Sequence, residues 1–215
     1  FLWEPLDVAA PAAGDQLAAL LRFRTLDALV HCAGTQEPVG AVADTRPDAW
    51  AAGVQANLIG AYRVVHAALP ALQRNGSGRI LLFSGGGAFG PRPAYSCYAA
   101  SKAGAVALME SLAAELDGCG ITANCVAPGF VPTPIHAPSE AAGLPVPEAT
   151  GGEMERAVAC VLHLLSDDAE GLTGKTVSAV YDDWRGITRD RVAAINASDV
   201  WTRTRVSARE GARSR

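Results

Sequence analysis

The chain has 215 residues, 49 % of them hydrophobic, enough to bury one sizeable core, and a single α/β domain of ordinary size is expected. A net charge of −4 and an isoelectric point near 5.6 leave no electrostatic footprint for nucleic acid, and no apolar run reaches membrane-spanning length or has the pattern of a secretory signal. The cysteines, Cys32, Cys97, Cys119, Cys125 and Cys160, are odd in number and lack metal-ligand spacing, so a cytoplasmic protein without a bound metal is expected.

Hydrophobic patterning predicts strands alternating with helices. Residues 1–8 read as a strand ending at Asp7-Val8, and 14–24 as a short helix. Residues 26–31 are apolar almost throughout, as a strand of a parallel sheet is. A long helix over 47–73 has proline in its first turn and Gly76 just past its end. Strand 79–84, an alanine-rich helix 94–116 closed by Gly118 and Gly120, strand 121–127, helix 153–166 and strand 176–180 complete the series. Such alternation implies right-handed crossovers and a Rossmann-like, doubly wound parallel sheet in three α/β/α layers. Ligands in such sheets lie beyond the carboxyl ends of the strands, where Gly34, Ser84 and Pro128 fall. The domain is expected over 1–183, with 184–215 as a C-terminal extension. Its end carries Arg203, Arg205, Arg209, Arg213 and Arg215 against Glu210, a net +4 that reads as a disordered, solvated tail or as a docking segment.

Within this frame, the run Tyr98-Ala99-Ala100-Ser101-Lys102 puts a phenol and an ammonium on one helix face. A fixed cation favours phenolate, which makes a tyrosine usable as an acid or base near neutral pH. Any helix can carry such a pair by chance, but the chain has sixteen arginines and only two lysines, Lys102 and Lys175, so Lys102 stands against a strong drift toward arginine.

The order of motifs adds to this. His31-Cys32-Ala33-Gly34 follows a strand, Asn57-Leu58-Ile59-Gly60 lies within a helix, Ser84 ends a strand, Tyr98 and Lys102 come next, and Pro128-Gly129 precedes Thr133. From about residue 5 to residue 180 this resembles the short-chain dehydrogenase/reductase family. The resemblance implies an oxidoreductase that moves a hydride between NAD or NADP and a small carbonyl or alcohol substrate. It implies Tyr98 as general acid/base, Lys102 as the group that lowers its pKa and holds the nicotinamide ribose, and Asn57 as holder of a proton-relaying water. Ala33 and Gly34 would admit the cofactor closely, Pro128, Gly129, Val131 and Thr133 would contact its nicotinamide end, and Asp7 and Val8 would face adenine. A homodimer or homotetramer through helices 47–73 and 94–116 is also implied, with neither nucleic acid nor membrane as a partner.

The chain departs from the family pattern in two places. The serine that usually polarises the substrate carbonyl is replaced by Gly85, and Ser84 is the expected substitute if the Gly85-Gly86-Gly87 backbone lets its hydroxyl reach the site; strand alternation leaves open that it faces away. The glycine-rich phosphate loop expected upstream of Gly34 has no room. Gly85 to Gly90 matches G-x-G-x-x-G, but Pro91 and Pro93 follow at once, so it is assigned to the substrate loop. The expectation is a family member lacking its first two strands, with 26–31 left as an exposed edge. The alternative is a non-catalytic remnant, a scaffold or dimerisation module unable to hold the dinucleotide. Residues 134–152 take the position of a substrate lid, and His136 and His163 are expected in surface or packing roles.

Overall fold

In the computed structural model, which describes residues 3–203, β1 (Ala28–His31), β2 (Gly78–Phe83), β3 (Ile121–Ala127) and β4 (Thr176–Ser178) form one sheet in the order β1-β2-β3-β4. All pairs are parallel, with Leu29 beside Ile80, Leu82 beside Cys125 and Val126 beside Val177. The flanking helices are α1 (Ala13–Leu21), α2 (Pro47–Val54), α3 (Gly60–Asn75), α4 (Ser96–Glu115), α5 (Ala137–Ala141), α6 (Glu153–Leu164) and α7 (Arg189–Asn196). None is long and apolar enough to cross a membrane.

Because successive strand residues point to opposite faces, each face of the sheet builds its own core. Ile80, Leu82, Ala123 and Cys125 pack with Val65 and Leu72 of α3 and Val106 and Met109 of α4. Leu81, Val126 and Val177 pack on the other side with Cys160 and Leu164 of α6 and Val192 of α7. This is the expected α/β/α layering. It also corrects the expectation of uniform handedness: α4 and α6 serve crossovers that step the same way along the sheet but lie on opposite faces, so the β3-to-β4 crossover has the opposite hand to the β2-to-β3 one. The long connection between Ala127 and Glu153 gives the chain the length to pass round the end of the sheet.

The strand expected over 1–8 is not formed. Residues 3–7 have no regular secondary structure and lead into a turn at Val8, and the first two residues lie outside the described ones. A strand persists only where a neighbour takes its hydrogen bonds, and β1, the edge of the sheet, pairs with β2 alone. Val30 on that edge is 38 % exposed, as expected of an uncovered apolar strand. The helix expected from residue 94 begins at Ser96, because Ala94 has φ +67° and cannot continue a right-handed turn.

The segment after Asp183 packs onto the second core. Trp184 and Ile187 are buried there, and the Trp184 indole donates to the Ala179 carbonyl at 3.2 Å. Arg203 pairs with Glu110 of α4 at 2.6 Å; the rest of the basic tail lies outside the described residues.

Helices α2 and α3 are joined by a π-helical turn, Gln55–Ile59, closed by the Gly60 amide donating to the Gln55 carbonyl. On its two sides this rod lies very close to its neighbours. A β-carbon at Gly53 would collide with the Glu37 carbonyl oxygen and the Cys97 sulfur, and one at Gly104 would lie 2.8 Å from Leu58. Gly53→Ala is therefore expected to destabilise the fold by about 1–3 kcal/mol, the usual range for overpacking. Urea denaturation measures it, and an unchanged midpoint would mean that α2 and α4 part without penalty.

Candidate active site

The parallel strands end together, and the loops leaving them meet at Tyr98 and Lys102 on the first turns of α4. Lys102 is 6 % exposed, and its ammonium donates to the carbonyl of Phe83, the last residue of β2, at 2.8 Å. Burial pulls its pKa down, opposed by the Cys125 and Cys32 thiols. Tyr98 lies on the same helix face, with the ammonium 5.6 Å from its ring centre.

The electrostatics of Tyr98 correct the sequence-based expectation. Burial pushes the phenol above its ordinary range, and the cation that opposes the shift is Arg92, whose guanidinium lies 5.4 Å from the Tyr98 ring centre, rather than Lys102. Tyr98 is consequently a protonated phenol at neutral pH.

Asn57 occupies the middle of the π-helical turn and is 2 % exposed. Its amide is engaged at both ends by one residue: Oδ1 accepts from the Thr35 amide at 2.7 Å, and Nδ2 donates to the Thr35 carbonyl at 2.8 Å. This clamp fixes the loop after β1. A β-carbon at Gly34 would lie 2.8 Å from Asn57 Oδ1 and 3.8 Å from Lys102 Nζ, so only glycine fits between them.

The glycine run at the end of β2 has a similar explanation. A β-carbon at Gly85 would stand 2.6 Å from the Tyr98 hydroxyl, and one at Gly86 would stand 3.3 Å from an Arg92 nitrogen. The phenol thus fills space that a side chain at position 85 would take. The Ser84 hydroxyl is buried and has no hydrogen-bond partner among the described residues.

Two cavities open from this point. One, of about 420 Å³, is lined by Cys32, Tyr98, Lys102, Val131 and Thr133, with α6 as its apolar wall. The other, of about 630 Å³, runs past Gly86, Phe89, Arg92 and Tyr181. Gln36, Ser84, Tyr98, Pro128, Gly129 and His136 border both. Asp7 and Val8 are not among these residues: Asp7 accepts from the Ala9 amide, and the Val8 carbonyl receives Arg63 of α3. Ala33 lines neither cavity.

Gln36, Arg92 and His136 border these cavities and were missed by sequence reasoning; His136 packs on Phe130, with ring centres 4.8 Å apart, as expected, and lines both cavities as well. The Tyr95 hydroxyl donates to Ser139 Oγ at 2.9 Å, which donates to Gln36 Oε1 at 2.7 Å. The Gln36 Nε2 lies 3.3 Å from His136 Nδ1. A glutamine nitrogen only donates, so Nδ1 accepts and His136 carries its proton on Nε2, which donates to the Val131 carbonyl at 3.1 Å. The network ties together the loops that follow β1, β2 and β3. His163 does pack as expected, against Trp184.

Residues 3–179 match the family model described as enoyl-(acyl carrier protein) reductase. The chain is similar to a short-chain type dehydrogenase/reductase of Picea abies, 35 % identical over 180 residues that cover 80 % of this chain and 66 % of the relative. It is 33 % identical over 163 residues to the 3-oxoacyl-(acyl carrier protein) reductase FabG of Thermotoga maritima, covering 73 % of this chain and 65 % of that one. The chain thus spans about two thirds of the length of these curated relatives. Among solved structures it resembles the actinorhodin polyketide ketoreductase with NADPH, with a TM-score of 0.69 and 27 % identity over 81 % of this chain and 74 % of that one.

His31, at the end of β1, gives a pH dependence that can be measured. Its pKa is pulled from the ordinary 6.5 to about 4, first by burial and then by the Lys102 charge. Above 6.5 the folded and unfolded forms are both neutral there; as pH falls from 6.5 toward 4 only the unfolded chain takes up the proton, so the fold loses stability across that window. His31→Asn should flatten the fall of the melting temperature between those limits, and an unchanged slope would remove His31 as its cause.

Proposed function

Because the chain belongs to the short-chain dehydrogenase/reductase family, we propose that it carries the reacting end of a nicotinamide-dependent oxidoreductase, with Tyr98 passing the proton between a carbonyl and an alcohol. The observation that carries this reading is a phenol buried at the junction of two cavities, each large enough for one reactant. NAD or NADP would supply the hydride.

The residues fit the nicotinamide half of such a cofactor. Lys102 borders the smaller cavity with two donors left over after Phe83, Thr133 and Val131 line the same cavity, and Gly34, which lines neither cavity, allows the close approach of Asn57 and Lys102 behind it. In this reading the smaller cavity takes the nicotinamide and ribose, and the larger takes the substrate. Tyr98 gives its proton to the carbonyl oxygen during reduction and takes it back during alcohol oxidation; burial raises its pKa and the Arg92 charge opposes that shift. Lys102 keeps positive charge beside the site while that proton leaves. Asn57 acts by fixing Thr35 and hence Gly34. Ser84, with its buried and unpartnered hydroxyl, is the nearest hydroxyl in sequence to the family's serine position. Association of copies through α3 and α4 goes with the same reading.

The other half of a dinucleotide finds less. Among the described residues no helix starts directly from the end of a strand, so the usual cradle of amides for a pyrophosphate is not built there. This favours a second reading for the chain alone, a scaffold that cannot hold the cofactor by itself.

Two measurements separate the readings. In a form of the protein that turns over a ketone with NADPH, Tyr98→Phe is expected to lower turnover by a factor of about 10² to 10⁴ with cofactor affinity largely kept; near-parental turnover would take Tyr98 out of the mechanism. Calorimetric titration of the 215-residue chain with NADH and NADPH is expected to show weak binding, because charge-assisted hydrogen bonds at about 1.5–3 kcal/mol each are missing. Micromolar binding would overturn that expectation and reject the scaffold reading.

A further inference from the structure

Among the described residues Arg92 is the only arginine that borders the larger cavity, and its surroundings hold it there. Its guanidinium carbon lies over the Tyr95 ring, 4.0 Å from the ring centre, and 5.4 Å from that of Tyr98. Gly86 leaves room for it, since a β-carbon there would stand 3.3 Å from Nη1. Among the described residues the salt bridges are Arg46 with Asp48, Arg189 with Glu170, and Arg203 with Glu110, so Arg92 has no carboxylate partner. Among the described residues no side-chain hydrogen bond uses its donors either. Asp182, the acidic group on the same cavity, is occupied by the Ser178 amide at 2.6 Å.

A guanidinium stacked on aromatic rings keeps its edge free, and that edge presents parallel N–H donors spaced for the two oxygens of a carboxylate. Tyr95 is itself fixed by the hydrogen bond to Ser139, so the platform under Arg92 is rigid. Phe89, Phe130, Tyr181 and Trp201 surround the rest of the cavity, which suits an apolar or aromatic body. The anion-binding edge and the Tyr98 hydroxyl open on one cavity, and both belong to the same aromatic stack.

From this we infer that Arg92 is a specificity-determining residue and that the substrate is an oxo acid, or its hydroxy-acid product, whose carboxylate pairs with Arg92 while its neighbouring carbonyl reaches Tyr98. The choice of the reacting group rests on the oxidoreductase reading; the carboxylate site rests on Arg92 and its surroundings alone.

The test compares 2-oxo-4-phenylbutanoate with its ethyl ester, which has the same body and carbonyl but no charge. Calorimetric titration of the chain at neutral pH, with and without NADPH, is expected to show the acid binding about ten- to a hundredfold more tightly than the ester, the range for hydrogen bonds to a charged partner. Arg92→Gln should bring the two within about twofold, and Arg92→Lys should keep part of the preference, since a point charge replaces a fork. Equal binding of acid and ester by the parent chain, a preference that survives Arg92→Gln, or failure of both ligands to bind at millimolar concentration would each overturn the inference. Turnover is not needed for the readout. An active enzyme that binds and reduces acid and ester equally well keeps the oxidoreductase reading and loses this one; a chain that prefers the acid but never reduces it does the reverse.

Discussion

A charged ammonium buried under the carboxyl end of a strand has few places to go, and much around Lys102 follows from that constraint. Burying an ion is costly unless its donors are met, and here the carbonyl of Phe83 meets one of them. That bond ties α4 to the end of β2 and so sets where Tyr98 stands. The same charge helps keep His31 neutral and lowers the pKa of the Cys32 thiol against the larger effect of burial. It also fixes what the next loop can be: with Lys102 and Asn57 crowding position 34, a side chain there has no room.

The end of β2 shows how glycines admit their neighbours. With glycine at 85 the phenol occupies the space a side chain would take, with glycine at 86 the Arg92 side chain comes against the backbone, and at Gly87 a β-carbon would lie 2.6 Å from that of Ala99. Three consecutive glycines are commonly a sign of a loose loop. Here each one admits a specific neighbour, so the run is a packing solution that brings a guanidinium to the tyrosine.

The layers of the fold and the Tyr98, Lys102 and Asn57 positions were legible because they depend on periodicity and local order. Strand β3 matches its expected bounds, since Gly118, Gly120 and Pro128 punctuate it on both sides. What could not be read depends on partners distant in sequence. Residues 1–8 have the composition of a strand, but residues 3–8 pair with no strand among the described residues. Helix α7 is half polar and short, with Val192 as its buried anchor, and gives too weak an apolar stripe to stand out. Arg92 sits between two prolines and looks like loop punctuation; only the turn of the glycine run brings it to the site. His136 is joined to Gln36 across 100 residues of sequence, a separation that no local pattern reports. The hand of the last crossover is likewise set by a long connection whose path no local pattern encodes.

The scarcity of lysine has an outcome for chemistry at the protein surface. Both lysines are interior: Lys102 under the site, and Lys175 at 2 % exposure with its ammonium donating to the Ser198 carbonyl at 2.6 Å. Positive charge on the outside is therefore carried by guanidinium groups, which do not react with acylating reagents under mild conditions. In the folded molecule an amine-directed dye, an acetyl donor or a ubiquitin-transferring enzyme meets no lysine to modify. Either internal amine becomes reactive only when its part of the fold opens, so acylation at Lys102 and Lys175 would act as a chemical clock for local unfolding of the two halves of the sheet.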